Sequence, residues 1–153
     1  MTISSIEFPI EQKHTGKGNP NAIIMFDVSL NNRQNRLLEK LPEYDSRVIV
    51  PRRSVNMADL SALTAKTGDE FAMFTKGKKR LIIRGNVFKV NIDTDEAERL
   101  SKEGYKWSGH THPGVTMLCL LPSDGDKRIL KHFSQEVSAI YNSKGKSSTF
   151  GKE

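Results

Sequence analysis

Two histidines one residue apart precede a serine and an aspartate at a fixed distance, in the segments GHTHP (residues 109–113) and SDGD (residues 123–126). Successive side chains of a β-strand point to opposite faces, so His110 and His112 would project from the same face. Two neutral imidazoles in this arrangement can bind one metal ion. A third protein ligand and an open fourth position would make the site catalytic. The single cysteine, Cys119, excludes a structural zinc site closed by several cysteines.

Chance does not explain the spacing of these four residues, because a shuffled sequence of this composition contains it about once in two thousand trials. The pattern, together with Pro113, resembles the metal-binding motif of the JAMM (JAB1/MPN) family of zinc-dependent peptidases and isopeptidases. The resemblance implies that zinc is bound by His110, His112 and Asp126. It also implies that Ser123 supports the oxyanion of the reaction and that a glutamate on an earlier strand handles the proton.

The histidine motif covers only about a tenth of the chain. A wider stretch, residues 54–151, resembles a JAMM-type domain found at the C-termini of bacterial polymorphic toxins, on the strength of residues 108–114 and 134–150. The resemblance implies an α/β (α+β) fold, with a mixed β-sheet flanked by helices as in JAMM proteins and cytidine deaminases. We therefore expect a JAMM-like domain at residues 54–153. Residues 1–53 would form an N-terminal segment, partly linker, that packs on this core or leads into it.

The glutamate that handles the proton should lie beside the metal, on a strand adjacent to the histidine strand and earlier in the chain. Gly68 is typical of a helix end, and an apolar strand follows at once. Glu70 is therefore the candidate base. Asp69 is its nearest rival, because a shift of one residue exchanges the two faces of a strand. The other glutamates considered lie on a charged helix or in the N-terminal segment: Glu96, Glu98, Glu103, Glu7 and Glu11.

Hydrophobic periodicity and turn residues predict the elements that would position these side chains. The predicted helices are residues 33–41, residues 57–66 capped by Asn56, residues 95–102 ended by Gly104, and one that starts near Ser123. The predicted strands are residues 22–28, 71–75, 81–84, 87–92, 106–112, 117–121, 137–141 and 147–150, with a short apolar stretch at 48–50. The last two strands form a hairpin, and the strand 106–112 carries the histidines.

Each candidate residue also has a plainer interpretation. Ser123 and Asp126 have the spacing of a helix capping box, in which the serine accepts a backbone N–H and the acid reaches back to the cap. The two roles are compatible, because a helix start fixes the direction of both side chains. His110 and His112 could be half-buried histidines, but burying both is costly unless a metal or strong acceptors satisfy them. Cys119 lies between two leucines and is typical of an inert core residue.

Composition indicates one compact domain of an intracellular type. Of the 153 residues, 36% are hydrophobic and 27% are charged, which is ordinary for a globular protein. Residues 1–10 lack the basic start and long apolar run of a secretory signal, and no apolar stretch is long enough to span a membrane. We expect a cytoplasmic location, or export as part of a larger toxin by a specialised system.

The net charge of +6 raises the question of an acidic partner. Basic residues cluster at 52–53, 76–80 and 127–131. The middle cluster is typical of a hairpin turn, where lysines are usually solvated or protect a sheet edge. No aromatic residues alternate with these clusters in the way that single-stranded nucleic acid requires. Solvated lysines are the favoured interpretation, with an acidic protein surface or nucleic acid as the alternatives.

Taken together, the resemblance implies a zinc-dependent peptidase or isopeptidase that hydrolyses an amide bond of a protein or peptide. About forty residues separate Glu70 from His110, and a predicted strand fills the gap before Ser123, so little room is left for the loops that hold ubiquitin in other members. This favours a minimal bacterial peptidase or a toxin-type effector. The alternative is a catalytically inactive JAMM-like scaffold or a nucleic-acid-associated module, although such members typically lose ligands that this chain retains.

Overall fold

The computed structural model describes residues 26–151 of the chain. In this range six strands form one mixed sheet with four α-helices, which confirms the predicted α/β (α+β) class. The strands are β1 (Arg47–Pro51), β2 (Phe71–Lys76), β3 (Lys79–Arg84), β4 (Lys106–Thr111), β5 (Val137–Tyr141) and β6 (Ser147–Gly151). The α-helices are α1 (Asn32–Glu39), α2 (Met57–Thr67), α3 (Thr94–Glu103) and α4 (Asp124–His132). Two short 3₁₀ helices cover Arg52–Ser54 and Met117–Leu120.

The strands follow the order β1-β3-β2-β4-β5-β6 across the sheet. The pairs β1 with β3, β3 with β2 and β2 with β4 are antiparallel. β4 and β5 run parallel, and β5 and β6 form the predicted antiparallel hairpin. Parallel strands need a crossover connection, and α4 lies in this one. The carboxyl end of β4, which carries the histidines, therefore leads towards the start of α4.

Apolar side chains on both faces of the sheet form two core clusters. Along β2, Phe71 and Met73 belong to one cluster, while Ala72 and Phe74 belong to the other. The first cluster includes side chains of α1 and α2, and the second includes side chains of α3 and α4. A strand covered on both faces carries a nearly continuous apolar run, as β2 does. The sheet is therefore covered by apolar side chains on both faces.

Helix ends follow the capping residues that the sequence indicates. Asn56 caps α2, with its side chain accepting from the Asp59 N–H, and Gly68 ends that helix in a left-handed conformation (φ 78°). Gly104 ends α3 in the same way, at φ 103°. Ser123 is the N-cap of α4. These predicted helix boundaries are confirmed to within a residue or two.

The predicted strand at residues 87–92 is wrong. These residues form no regular structure, because the Asn86 side chain turns the chain by accepting from the backbone N–H groups of Phe88 and Lys89. Asn86 also donates its own backbone N–H to the Lys89 carbonyl. Asparagine side chains commonly compete with strand pairing in this way. The resulting loop lies beside the histidines instead of extending the sheet.

The predicted strand at residues 117–121 is also wrong. Residues Met117–Leu120 form a 3₁₀ helix whose apolar side chains stay largely outside the core: Met117 is 71% exposed and Leu118 65% exposed. Without a neighbouring strand to pair with, apolar character alone does not make this segment a strand. Cys119 is partly exposed, so the prediction of a core cysteine is wrong as well. Of the predicted strand at residues 22–28, positions 22–25 lie outside the described residues and 26–28 are irregular.

The described part of the predicted N-terminal segment, residues 26–53, contributes α1 and β1 to the two-sided core. β1 pairs with β3 along its whole length, and Leu37 of α1 packs in the same cluster as α2. Among the described residues, no helix has the length and apolar character needed to cross a bilayer.

Candidate metal centre

Four of the five predicted site residues come together at one end of the sheet. Glu70 immediately precedes β2, His110 lies near the end of β4, His112 follows that strand, and Asp126 lies in the first turn of α4. The cluster is thus formed by two neighbouring strands and the start of one helix. All three direct their side chains towards the same point. The grouping matches the spacing that the sequence indicated.

Three donor atoms form a nearly equilateral triangle. His110 Nε2 lies 3.1 Å from Asp126 Oδ2, His112 Nε2 lies 3.2 Å from the same oxygen, and the two Nε2 atoms are 3.1 Å apart. Ligand atoms about 2.0–2.1 Å from a tetrahedral zinc ion are about 3.3–3.4 Å from one another. The two histidines and Asp126 therefore fit a zinc ion with little movement of any side chain.

Glu70 offers a second carboxylate to the same histidines. The ligand atoms of Glu70, His110 and His112 all lie within 4.8 Å of one another, so this trio could also hold a metal. The shortest distance from the Glu70 carboxylate to a histidine nitrogen is 3.9 Å, between Glu70 Oε2 and His112 Nε2. Because both Asp126 distances are much shorter, we take Asp126 as the third ligand. Glu70 then faces the metal position from a greater distance.

The orientation of the His112 ring suits a metal ligand. Its Nδ1 lies 2.9 Å from the Cys119 carbonyl oxygen, which can only accept a hydrogen bond, so Nδ1–H donates there and Nε2 is the ring nitrogen that faces the cluster. Gly114 makes this contact possible, because its φ is 115° and a Cβ there would lie 2.5 Å from the Cys119 sulfur. The role of the exposed 3₁₀ segment is therefore to bring a carbonyl to His112.

His110 is placed by an irregularity in the sheet. β2 and β4 pair with Met73 opposite Gly109 and Phe74 opposite Trp107, which leaves Ser108 as an extra residue in β4. This bulge brings Trp107 and His110 to the same face, where their rings stack with centroids 4.9 Å apart. His110 is only 2% exposed.

Burial also decides the charge of His110. Burial lowers its pKa more strongly than the nearby Asp126 carboxylate raises it, so the imidazole is neutral and able to act as a ligand. Its Nδ1 is buried without a hydrogen-bond partner among residues 26–151. Burial would raise the pKa of Asp126, but its contacts with His110 and His112, at 3.1 and 3.2 Å from Oδ2, outweigh burial and hold that pKa below its usual range. Asp126 is thus a carboxylate at neutral pH.

Glu70 is a buried carboxyl group on a fixed backbone. Its N–H donates to the Asn86 carbonyl at 2.9 Å, and its carbonyl accepts from the Gly85 N–H at 2.7 Å. The residue is 7% exposed, and no hydrogen bond reaches its carboxylate from any described residue. Burial, and then the charge of Asp126, raise the pKa of Glu70 well above its usual range. A carboxyl group of this kind is suited to accept and return a proton near neutral pH.

Asp69, the rival base, points elsewhere. Its carboxylate pairs with the Arg84 guanidinium, with both Nε and Nη2 of Arg84 2.9 Å from Oδ2. Burial raises the pKa of Asp69, and Arg84 opposes this rise. Arg84 in turn donates to the Leu41 carbonyl at 2.7 Å. Asp69 therefore belongs to a structural ion pair, and Glu70 is the acid that reaches the histidines.

Ser123 has the capping role and is also available to the site. Its Oγ accepts from the Asp126 N–H at 3.0 Å, and Asp126 Oδ2 accepts from the Ser123 N–H at 2.9 Å. This capping box orients the carboxylate whose Oδ2 also meets the histidines. The cap uses a lone pair of Oγ, so the Ser123 O–H remains free to donate. Ser123 lines the cavity beside the histidines.

Thr111 is a site residue that the sequence did not reveal. Its side chain is fully buried and accepts from the Phe71 N–H at 2.8 Å, just where the backbone pairing of β2 and β4 ends. The same hydroxyl lies 2.5 Å from the Thr64 hydroxyl of α2. Thr111 thus ties the histidine strand to the residue that follows Glu70. A threonine between two histidines gives no sequence signal for such a contact.

We expect Thr111→Val to lower the free energy of unfolding by about 1–3 kcal/mol, because the buried Phe71 N–H loses its acceptor. Turnover should fall as Glu70 loses its fixed position, while zinc is retained. Denaturant unfolding and steady-state kinetics measure the two effects. Ser101→Ala is the control, because the Ser101 hydroxyl of α3 donates to the Phe133 carbonyl at 2.9 Å, at the end of α4. An equal loss of turnover in both variants would contradict this role.

A cavity of about 510 Å³ opens beside the cluster. Its apolar lining is formed by Ala72, Val90, Ile92, Trp107 and Ile129. Lys89 and Arg128 add positive charge to the lining, next to the site residues themselves. The loop that was predicted as a strand therefore forms one wall of the site.

Comparison with known proteins adds nothing to this picture: no protein-family description, curated protein or solved structure matches the chain.

Proposed function

We propose that this protein is a zinc-dependent hydrolase of amide bonds in proteins or peptides, as the resemblance of its histidine motif to the JAMM family implies. The observation that supports it most is the placement of a buried Glu70 carboxylate next to a triangle of three possible ligand atoms from His110, His112 and Asp126. Two histidines and one carboxylate form a typical catalytic zinc ligand set.

When bound, zinc would supply Lewis acidity and would make water a stronger acid at neutral pH. His110, His112 and Asp126 would hold it. Glu70 accepts the proton of the attacking water and then gives it to the leaving nitrogen, which requires a pKa above that of an ordinary carboxyl group. Ser123 donates its O–H to the carbonyl oxygen as negative charge develops there. Single donors of this kind are typically worth about 3 kcal/mol in the transition state.

The cavity beside the histidines indicates which amide bonds the protein would cleave. Its apolar wall lies next to His110, since Trp107 both lines the cavity and stacks on that ring. We therefore propose that an apolar side chain of the substrate lies beside the scissile bond. The segment between His112 and Ser123 is an exposed 3₁₀ stretch, Met117–Leu120, in place of the predicted strand, so it does not restrict the size of the substrate. A minimal bacterial peptidase or a toxin-type effector remains the proposal on the basis of the resemblance.

The test uses a library of short quenched fluorescent peptides and the zinc-loaded protein. We expect cleavage that stops when a chelator removes zinc and returns when zinc is restored, with apolar residues enriched next to the cut positions in mass spectra. Glu70→Gln, purified in the same way, excludes a contaminating protease. Zinc binding without cleavage of any peptide or lysine isopeptide would contradict the hydrolase and favour the inactive scaffold.

A further inference from the structure

A second cavity, of about 700 Å³, lies far from the histidines along the strands. Arg80 pairs with Val50 near one end of β3, whereas the other end of β3 pairs with Phe71, next to Glu70. The residues that line this cavity are Pro51, Arg52, Arg53, Val55, Asn56, Lys78 and Arg80. We call it the basic cavity. Four of its seven lining residues are cations, and none is a carboxylate.

These cations lack acidic partners within the described chain. Arg33, Arg47, Arg84 and Arg99 all form ion pairs with carboxylates. No such pair among residues 26–151 involves Arg52, Arg53, Lys78 or Arg80. Asp59, the acid of the α2 capping box, already accepts hydrogen bonds from Arg33, Gln34 and the Asn56 N–H. The basic cavity therefore gathers positive charge that no carboxylate in residues 26–151 neutralises through an ion pair.

Arg80 indicates that the clustering of these cations raises the free energy of the protein when no anion is bound. Its Nη1 donates to the Val55 carbonyl, which fixes the guanidinium against the start of α2, but its Nε is buried and finds no hydrogen-bond partner within the described part of the chain. Burial, and then the charge of Arg52, lower the pKa of Arg80. A buried N–H donor without an acceptor usually marks a missing partner.

We propose that the basic cavity binds the phosphate group of a small phosphorylated molecule. Guanidinium groups match phosphate oxygens through paired N–H donors, and Arg52, Arg53 and Arg80 place three of them around one concave space. The Asn56 side chain caps α2 through its oxygen, which leaves its NH₂ group available as a further donor. Nucleic acid is a less suitable ligand than a small phosphorylated molecule, because no aromatic residue lines the cavity to stack on a base.

Isothermal titration with pyrophosphate, at constant ionic strength, tests the proposal. We expect saturable binding of one pyrophosphate per chain and at least a tenfold weaker affinity for the double variant Arg53→Ala, Lys78→Ala. Arg80→Lys keeps the charge but removes the Nε–H and the paired donors, and should also weaken binding. Arg36→Ala, which removes an exposed arginine of α1, is the matched control and should bind as the unchanged chain does. Circular dichroism confirms that each variant is folded.

A repeat of the titration with His112→Ala separates this site from the metal centre, since zinc also attracts pyrophosphate. We expect unchanged affinity. Loss of binding in His112→Ala would place the anion at the histidines and overturn the proposal. Absence of saturable binding, or equal affinities for Arg36→Ala and the double variant, would also overturn it. So would a single-stranded oligonucleotide or a poly-glutamate peptide that binds through these residues when pyrophosphate does not.

Discussion

Glu70→Gln should retain zinc and lose about 10²–10⁴-fold in turnover, because glutamine keeps the shape of the side chain and cannot accept a proton. The three ligand atoms of His110, His112 and Asp126 are untouched by this change, so the metal content should stay the same. Steady-state kinetics and metal analysis of the same preparation measure both quantities. A variant that loses zinc together with activity would show instead that Glu70 is a ligand.

Asp69→Asn is the matched control for Glu70→Gln, because it changes the neighbouring acid in the same way. Asp69 pairs with Arg84 and does not face the histidines. We expect this variant to lose stability, since Arg84 keeps a partly buried charge without its partner, and to keep its turnover per folded molecule. An active Glu70→Gln beside an inactive Asp69→Asn would mean that the two acids exchange roles.

His112→Ala should lose both zinc and turnover while the protein stays folded. In the proposed site His112 supplies one of three ligand atoms, and the residue follows the end of β4, so no strand pairing depends on it. We expect no zinc above background after dialysis and activity at the level of the chelator-treated protein. Thermal unfolding followed by circular dichroism in the absence of metal should differ little from that of the unchanged apo protein.

His132→Ala provides the control for removal of a histidine. His132 lies at the end of α4 and pairs with Glu98 at 2.6 Å, away from the described cluster. This variant should bind zinc and turn over substrate normally. If His112→Ala also keeps its zinc, the metal is held elsewhere and the proposed ligand set is wrong.

The histidine pair and the start of α4 were predictable because local rules govern them. Alternation along a strand places His110 and His112 on one side, and a capping box fixes Ser123 and Asp126 regardless of the rest of the fold. The choice between Glu70 and Asp69 depends on one residue of register. Gly68, whose left-handed conformation marks the end of α2, sets this register, and Glu70 is the acid that lies next to the histidines.

Other parts of the site depend on contacts between distant segments and left little local signal. The bulge at Ser108 stacks Trp107 on His110, and it arises only where β4 meets β2. Thr111 joins three elements through one hydroxyl. Residues 87–92 and 117–121 are apolar enough to be strands. A turn at Asn86 keeps the first segment out of the sheet, and the second has no strand to pair with. Both segments instead line or support the site.

We propose that the unchanged chain binds one zinc ion through His110, His112 and Asp126. Elemental analysis combined with zinc titration of the dialysed apo protein tests this zinc site most directly. We predict about one zinc per chain, with a higher unfolding temperature as zinc is added, because an ion bound only by the folded state stabilises it. Protein that contains no zinc, binds none in titration and unfolds at the same temperature with and without it would contradict the account.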